Sequence, residues 1–455
     1  MHGLFSATDD RPVHFVGIGG AGMGALALLA HRRGIRVSGC DSEPRGAADL
    51  AALGIEVAAG HAPAHVAGAR ALVVSAAIRA DDPELVAARE AGIPLVPRKV
   101  ALGELVNGRT VVAIAGTHGK TTTTAMTTAA LAAAGLDPTG LVGGRVAEWG
   151  GNARVGGDDL FVVEADEYDQ AFLALQPTIA VVTNVEADHL ECYGSVAALE
   201  AAFATFAGRA RHVFAGADDA GARRVGAATG ATTVGLAADA GVRIEVQAAS
   251  PAGTTATVHL RSGPRTLHLA VPGTHNVRNA AMALAAAEAL GADLDAVLGA
   301  LAAFGGVGRR FERLGEVGGV ALVDDYAHHP TEVVATLAAA RQAFPGRRLV
   351  AVFQPHLYSR TAEHGAALGA ALGGADVAVV TEIYGAREAP IPGVSGRQVA
   401  DAAARTGVAT EFEPARDAVP ARVQALLRPG DVLLTLGAGD ITHVGRELAA
   451  WLARR

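Results

Sequence analysis

Short β-rich apolar runs alternate with Ala/Leu-rich windows of helical period along most of this chain, the pattern of domains built on parallel sheets. Val13-His14-Phe15-Val16 opens a first block that continues, through a second strand around Ile35 to Ser38, to the turn Asn107-Gly108. Thr110 to Ala115 opens a second block, with strands expected at Leu160 to Val163 and Ile179 to Thr183. Between about Val242 and Val271 the pattern changes to alternation, in Val242-Arg243-Ile244-Glu245-Val246 and Thr257-Val258-His259-Leu260, with Gly/Pro/Ser turns between. That stretch reads as a small antiparallel insertion. A third block begins near Arg310, with strands at Val320 to Val323, Leu349 to Phe353, Val377 to Val380 and Val432 to Leu436. The expected fold class is α/β, in three domains: 1–108, 109–309 and 310–455. No internal repeat marks a solenoid.

Composition narrows the function classes. At 455 residues, half of them hydrophobic and 18% charged, the chain can bury several cores, and global disorder is excluded. A net charge of −8 argues against gripping nucleic acid through its phosphates. The apolar stretches are broken by charge before they reach membrane-spanning length, and Met1 to Arg11 holds no signal-type apolar region. A cytoplasmic location is expected. Cys40 and Cys192 have neither metal nor redox spacing and read as reduced thiols.

The strongest chemical signal is Gly116-Thr117-His118-Gly119-Lys120-Thr121-Thr122, set between the strand Val111 to Ala115 and a helical window from Thr122. A glycine loop there aims backbone N–H groups and the positive end of a helix at an anion. Lys120 adds a point charge for outer phosphates, and Thr121 offers a hydroxyl to Mg²⁺. In a chain of this composition G-x-x-G-K should arise by chance roughly 0.03 times, so ATP binding is the reading. A second string, Gly17-Ile18-Gly19-Gly20-Ala21-Gly22, fits G-x-G-x-x-G after the first strand, with Asp41 placed for a ribose or a base. A tight packing turn would give the same string, and taken alone the motif suggests a nicotinamide-dependent dehydrogenase. Two nucleotide loops in one chain suggest instead that one nucleotide supplies energy and the other belongs to the substrate.

Further polar groups follow predicted strands. Glu164, in Phe161-Val162-Val163-Glu164-Ala165-Asp166-Glu167, could hold Mg²⁺, and the alternative is a solvated acidic turn. His189 ends Thr183-Asn184-Val185-Glu186-Ala187-Asp188-His189, where a structural histidine is the commoner outcome. Asn276 and Asn279 in His275-Asn276-Val277-Arg278-Asn279 share a helix face, with helix capping the bland alternative for Asn276. Asp324-Asp325-Tyr326-Ala327-His328-His329-Pro330 brings acid, phenol and imidazole to the end of another strand.

In this order the motifs resemble the Mur ligase family of peptidoglycan synthesis over essentially the whole chain, with Gly308-Arg309-Arg310-Phe311-Glu312 and Gln354-Pro355-His356-Leu357-Tyr358-Ser359-Arg360 as further signatures. The resemblance implies an N-terminal Rossmann-like domain for the UDP-sugar. It also implies a central P-loop ATPase-like domain with a mostly parallel sheet, and a C-terminal Rossmann-like domain for the amino acid. The implied reaction joins L-alanine to the lactyl carboxylate of UDP-N-acetylmuramate through an acyl-phosphate, with ATP and Mg²⁺, in a monomer or homodimer. Gly116, Thr117, His118, Gly119, Lys120, Thr121, Thr122, His275, Asn276, Asn279, Arg310 and Asp325 are thereby expected to contact ATP. Thr121, Glu164 and His189 would hold Mg²⁺. Gly17, Gly19, Gly20, Ala21, Gly22, Met23, Asp41 and Ser75 would meet the UDP-sugar, and Tyr326, His328 and Arg360 the amino acid. The expected catalytic set is Lys120, Glu164, His189, Arg310 and His328, with His328 taking the amine proton because an imidazole titrates near working pH.

Two positions depart from the family pattern. Ala204 stands where many members carry a carbamylated lysine, and no lysine follows Lys120, so a carbamate-bridged second metal is ruled out. Leu357 replaces an expected arginine and leaves Arg360 as the guanidinium of its motif. A ligase of the same family that attaches a ready-made peptide remains the nearest alternative.

Overall fold

The computed structural model describes residues 3–386 and 388–454, with Arg45 by its backbone alone. Its first sheet is parallel, in the order β3-β2-β1-β4-β5, from β1 (Val13–Val16), β2 (Val37–Asp41), β3 (Glu56–Ala59), β4 (Ala71–Val74) and β5 (Leu95–Pro97). β2 lies two to three residues later than the apolar pattern suggests, because Ile35 packs in the turn before it. Strand order reverses at β1, between β2 and β4. In such sheets the carboxyl ends of the strands at that point open a crevice for ligands.

The second sheet follows the order β15-β14-β13-β12-β11-β10-β6-β9-β7-β8. Its strands are β6 (Thr110–Ala115), β7 (Thr139–Val146), β8 (Gly151–Arg154), β9 (Leu160–Glu164), β10 (Ile179–Val182), β11 (His212–Gly216), β12 (Thr232–Gly235), β13 (Val242–Ser250), β14 (Gly253–Leu260) and β15 (Gly263–Leu269). β6 is buried from Val111 to Ala115 and lies parallel between β9 and β10, with Val112 opposite both Val162 and Ile179. The carboxyl ends of these three strands therefore converge. β13 to β15 are joined by two-residue connections, which only antiparallel neighbours permit. The expected antiparallel segment thus extends the sheet at its edge.

A helix, Lys120–Ala133, follows β6. Four consecutive threonines suit a helix poorly, but their setting compensates. Thr124, Thr127 and Thr128 donate their hydroxyls to the carbonyls of Lys120, Thr123 and Thr124, so these buried side chains satisfy themselves within the helix.

The third sheet has the order β16-β17-β21-β18-β19-β20, from β16 (Glu312–Val317), β17 (Val320–Asp325), β18 (Leu349–Phe353), β19 (Val377–Val380), β20 (Ala409–Phe412) and β21 (Val432–Leu436). Only β16 is antiparallel to its neighbour. β17 runs two residues past its apolar core. Asp324 stays in register opposite Thr435 and accepts hydrogen bonds from Thr435 and Thr442, which lets an acid lie in a buried strand.

Contacts group the chain into two compact units: Met1–Glu245 with Thr257–Leu267 and Arg278–Phe304, and Val246–Ala256 with His268–Val277 and Gly305–Arg455. In the first, one apolar core joins Phe15, Ile18 and Leu29 to Phe161, Phe172 and Phe203. The second packs helices on both faces of the third sheet, around Leu337, Phe353 and Leu434 on one side and Val352, Val444 and Leu448 on the other.

Candidate functional site

The loop after β6 is built for an anion. Gly116 (φ +137°) and Gly119 (φ +82°) occupy backbone regions that L side chains avoid, and a Cβ on Gly116 would collide with Thr183 Oγ1. Asn184 shapes the loop by taking the His118 N–H on its side chain at 2.7 Å and the Thr117 N–H on its carbonyl at 3.1 Å. Gly119 caps the helix in a left-handed conformation, leaving the first helical amides directed out of the helix end. A Cβ on Gly119 would meet Asn279 Oδ1 at 2.8 Å, so Asn279 stands beside the loop.

Lys120 Nζ donates to the Gly116 carbonyl at 2.5 Å and lies 2.7 Å from Glu167 Oε2. Burial works against its charge, but Glu167, Asp166 and Glu164 outweigh burial and hold its pKa above the usual lysine value. Beside it, Thr121 Oγ1 donates to Glu164 Oε1 at 3.1 Å, while Glu164 Oε2 accepts the Gly143 N–H at 2.6 Å. A hydroxyl and a carboxylate side by side at the helix start are hard oxygen donors of the kind Mg²⁺ takes, so the residues present fit that ion. His189 (φ +54°) sits between Asp188 and Glu191, with its ring edge-on to Tyr168.

At the first sheet's switch point, the Gly17 and Ile18 N–H groups donate to the Cys40 carbonyl, and Gly17 takes φ +80°. Asp41 Oδ2 accepts the Gly19 N–H at 2.9 Å, so this acid braces the loop it was expected to serve across a ligand. Gly20 caps the helix Ala21–Arg32 without a side-chain bond, leaving its first amides for an anion. Ser75 follows β4 across the same switch point. The Met23 side chain is 2% exposed and packs in the core, so any contact it makes at this loop is through its backbone.

In the second unit, positive φ at Arg309 (+59°) and Phe311 (+48°) flanks Arg310, and backbone strain of this kind costs about 1–3 kcal/mol per residue. Asp325 holds the turn by accepting N–H bonds from Phe311 and Ala327, each at 2.7 Å. Burial lifts the Asp325 pKa to about 6, with Arg310 opposing the rise. The Arg309 and Arg310 guanidinium carbons lie 4.9 and 5.0 Å from the centre of the Tyr326 ring. His328 Nδ1 is 3.0 Å from the Tyr326 carbonyl and 3.3 Å from Glu332, so Nδ1 carries the proton and Nε2 the lone pair. Burial depresses the His328 pKa to about 3, Glu332 opposing and Arg360 reinforcing. Burial thus places the imidazole below its ordinary titration range and favours its neutral form, with the Nε2 lone pair free of a proton. Arg360, 8% exposed, lies 3.4 Å from His356 Nδ1, and the His356 ring stacks on Tyr384.

His275 and Asn276 occupy the first turn of the helix Thr274–Ala289, so Asn276 is not its cap. Its side chain instead donates to the Pro272 carbonyl at 2.7 Å. Ala204 lies on the helix Val196–Ala207 against the core. Sequence reasoning assigned no role to Glu167, Asn184, Glu332 or Arg98. Arg98 stands at the N-terminal loop, where a Cβ on Gly22 would meet its Nη1 at 2.5 Å, and it also pairs with Asp166. Glu167 lay within a quoted acidic string, whereas nothing local marks Arg98.

Three family domains match in series: "Mur ligase family, catalytic domain" over residues 12–110, "Mur ligase middle domain" over 114–287 and "Mur ligase, glutamate ligase domain" over 309–439. A UDP-N-acetylmuramate–L-alanine ligase of Kineococcus radiotolerans is 49% identical, over 97% of this chain and 96% of the relative. The crystal structure of a UDP-N-acetylmuramate–alanine ligase from Thermotoga maritima superimposes with a TM-score of 0.86 at 31% identity, covering 98% of this chain and 100% of that one. A murein peptide ligase from Psychrobacter arcticus gives 0.71 at 25% identity, covering 98% and 99%.

Proposed function

The chain belongs to the Mur ligase family, and from that premise we propose that it joins L-alanine to the lactyl carboxylate of UDP-N-acetylmuramate at the expense of ATP. The observation that carries this reading is the near-full-length likeness at 49% identity to an enzyme of that name. The three domains, 1–108, 109–309 and 310–455, would take the UDP-sugar, ATP and the amino acid in turn. The enzyme would work on these small molecules in the cytoplasm as a monomer or homodimer; among the described residues no helix is long and apolar enough to cross a membrane.

A carboxylate and an ammonium do not condense in water, so the carboxylate must first gain a leaving group. In the proposed route the lactyl carboxylate attacks the γ-phosphate of ATP, ADP departs, and the amine of alanine then displaces phosphate from the acyl carbon. The loop amides and Lys120 orient the β- and γ-phosphates and offset the charge that builds during transfer. Thr121, Glu164 and His189 would hold Mg²⁺, which neutralises phosphate charge when bound. His118, Thr122, Asn276 and Asn279 position the nucleotide, with His275, while Asp325 fixes the turn that presents Arg310. Tyr326 and Arg360 place the amino acid. His328, neutral, accepts a hydrogen bond at Nε2 and so orients the amine; the proton that amide formation releases leaves with the displaced phosphate. Enclosure of the acyl-phosphate protects it from hydrolysis.

The test is ADP release with UDP-N-acetylmuramate and a panel containing L-alanine, glycine, L-serine and a ready-made peptide. Turnover with L-alanine at the highest kcat/KM is expected; a preference for the peptide overturns the reading. ¹⁸O from the lactyl carboxylate should appear in released phosphate. His328→Gln should slow amide formation about tenfold and leave that isotope transfer intact.

A further inference from the structure

The first sheet buries a cluster that the ligase reaction does not use. The Cys40 carbonyl holds the Gly17 and Ile18 amides, while its thiol donates to Glu84 Oε2 at 2.8 Å. Glu84, fully buried in the first turn of the helix Pro83–Glu90, also meets His65 Nδ1 at 2.5 Å and the Ala62 N–H at 3.2 Å. His14 on β1 is 2% exposed and contacts Ser38 through Nδ1 at 2.9 Å. Its Nε2 points toward Glu84 Oε2 from 3.7 Å and has no hydrogen-bond partner among the described residues. His61 Nδ1 lies 3.6 Å from both Cys40 Sγ and Glu84 Oε2, and 3.3 Å from Asp82 Oδ2.

Burying a carboxylate is costly unless a cation meets it, and among the described residues no lysine or arginine pairs with Glu84. One thiol, imidazoles and a carboxylate form the mixed sulfur, nitrogen and oxygen set that tetrahedral zinc takes, and that Mg²⁺ does not. With zinc–sulfur near 2.3 Å and zinc–nitrogen near 2.0–2.1 Å, a tetrahedral S···N edge is about 3.6 Å. Cys40 Sγ and His61 Nδ1 stand 3.6 Å apart. The 2.8 Å Cys40–Glu84 contact is shorter than such an edge because a thiol proton bridges it.

We propose that Cys40 and Glu84 form a zinc-type site beneath the UDP-sugar loop with one imidazole, that of His61 or that of His14, the two histidines approaching the pair in separate sets. The ion replaces the Cys40 proton, which is released to solvent, and the thiolate, the carboxylate and one imidazole lone pair become its ligands. Because the Cys40 carbonyl anchors the loop, the bound ion stiffens the segment that meets the diphosphate.

The test uses the full chain, stripped of metal by chelation and titrated with Co²⁺. One equivalent should produce an intense near-ultraviolet thiolate-to-cobalt band, which Zn²⁺ then displaces. Binding at the ATP site, through oxygen and imidazole, gives no thiolate band. Cys40→Ser should lose the band, and Cys192→Ser should keep it. One of His14→Gln and His61→Gln should weaken cobalt binding at least tenfold, and this pair decides the matter if Cys40→Ser fails to fold. No band in the wild type, a band that survives Cys40→Ser, or unchanged affinity in both histidine variants overturns the site.

Discussion

Lys120 and His328 both lie mostly buried just beyond the carboxyl end of a parallel strand, yet one keeps its charge and the other loses it. Around Lys120 the carboxylates of Glu167, Asp166 and Glu164 outweigh the cost of burial. Around His328 burial prevails, because the single carboxylate of Glu332 is opposed by Arg360 and His356. The contrast matches two different chemical needs. Phosphoryl transfer needs a fixed positive charge that remains in place as negative charge builds. An incoming amine needs an acceptor that does not itself repel an ammonium.

The contrast can be broken most sharply at Lys120. Lys120→Met should lower ADP release by about 10³-fold or more, while the melting shift caused by the UDP-sugar stays as in the wild type. Loss of less than tenfold would mean that the charge at this position is dispensable. Glu167→Gln should leave Lys120 buried without its nearest counter-charge and cost about 3–5 kcal/mol, read as a lower denaturant midpoint. Added ATP should recover more of that loss than it adds to the wild type.

At the neutral pocket the measurement is pH. The folded His328 value of about 3 lies below the ordinary imidazole value, so the folded state binds fewer protons. Its contribution to stability is intact above about pH 6.5 and erodes as pH falls, by up to about 1.4 kcal/mol per pH unit. His328→Gln should flatten the decline of the urea midpoint between pH 6.5 and 5, and an unaltered slope would show that the imidazole is not held neutral. The smallest expected effect lies at the other glycine loop, where the cation at hand is the partly exposed Arg98. In Gly19→Ala the new Cβ lies 2.9 Å from Asp41 Oδ2, so KM for the UDP-sugar should rise about tenfold with kcat within about twofold.

Much of this was legible along the chain, because strand, loop and helix succeed one another and glycine marks the bends. The 116–122 loop, the run to Glu164 and the alternating segment from Val242 could be read locally. What could not be read were relations between distant residues. The pairing of Lys120 with Glu167 depends on β6 and β9 being neighbours. Arg98 reaches Gly22 only through the packing of two helices against one sheet. The state of His328 depends on how deeply it is buried, which its own segment does not encode. The burial of the Met23 side chain was illegible for a similar reason: its place in a glycine-rich signature says nothing about which way a helix turns its side chains. Cys40 was set aside on spacing alone, since its partners lie on separate segments that only folding brings together.

The lysine count has a practical consequence for anyone labelling this protein. The chain carries two lysines, Lys99 and Lys120, against an otherwise arginine-based positive charge. Lys99 is partly exposed and tied to Asp169, whereas Lys120 is 13% exposed and lies within the phosphate loop. Amine-directed reagents thus meet two side chains on the whole molecule, and nucleotide bound as proposed would shield one of them. Modification of Lys120 relative to Lys99 becomes a direct reading of loop occupancy, with the second lysine as a built-in reference.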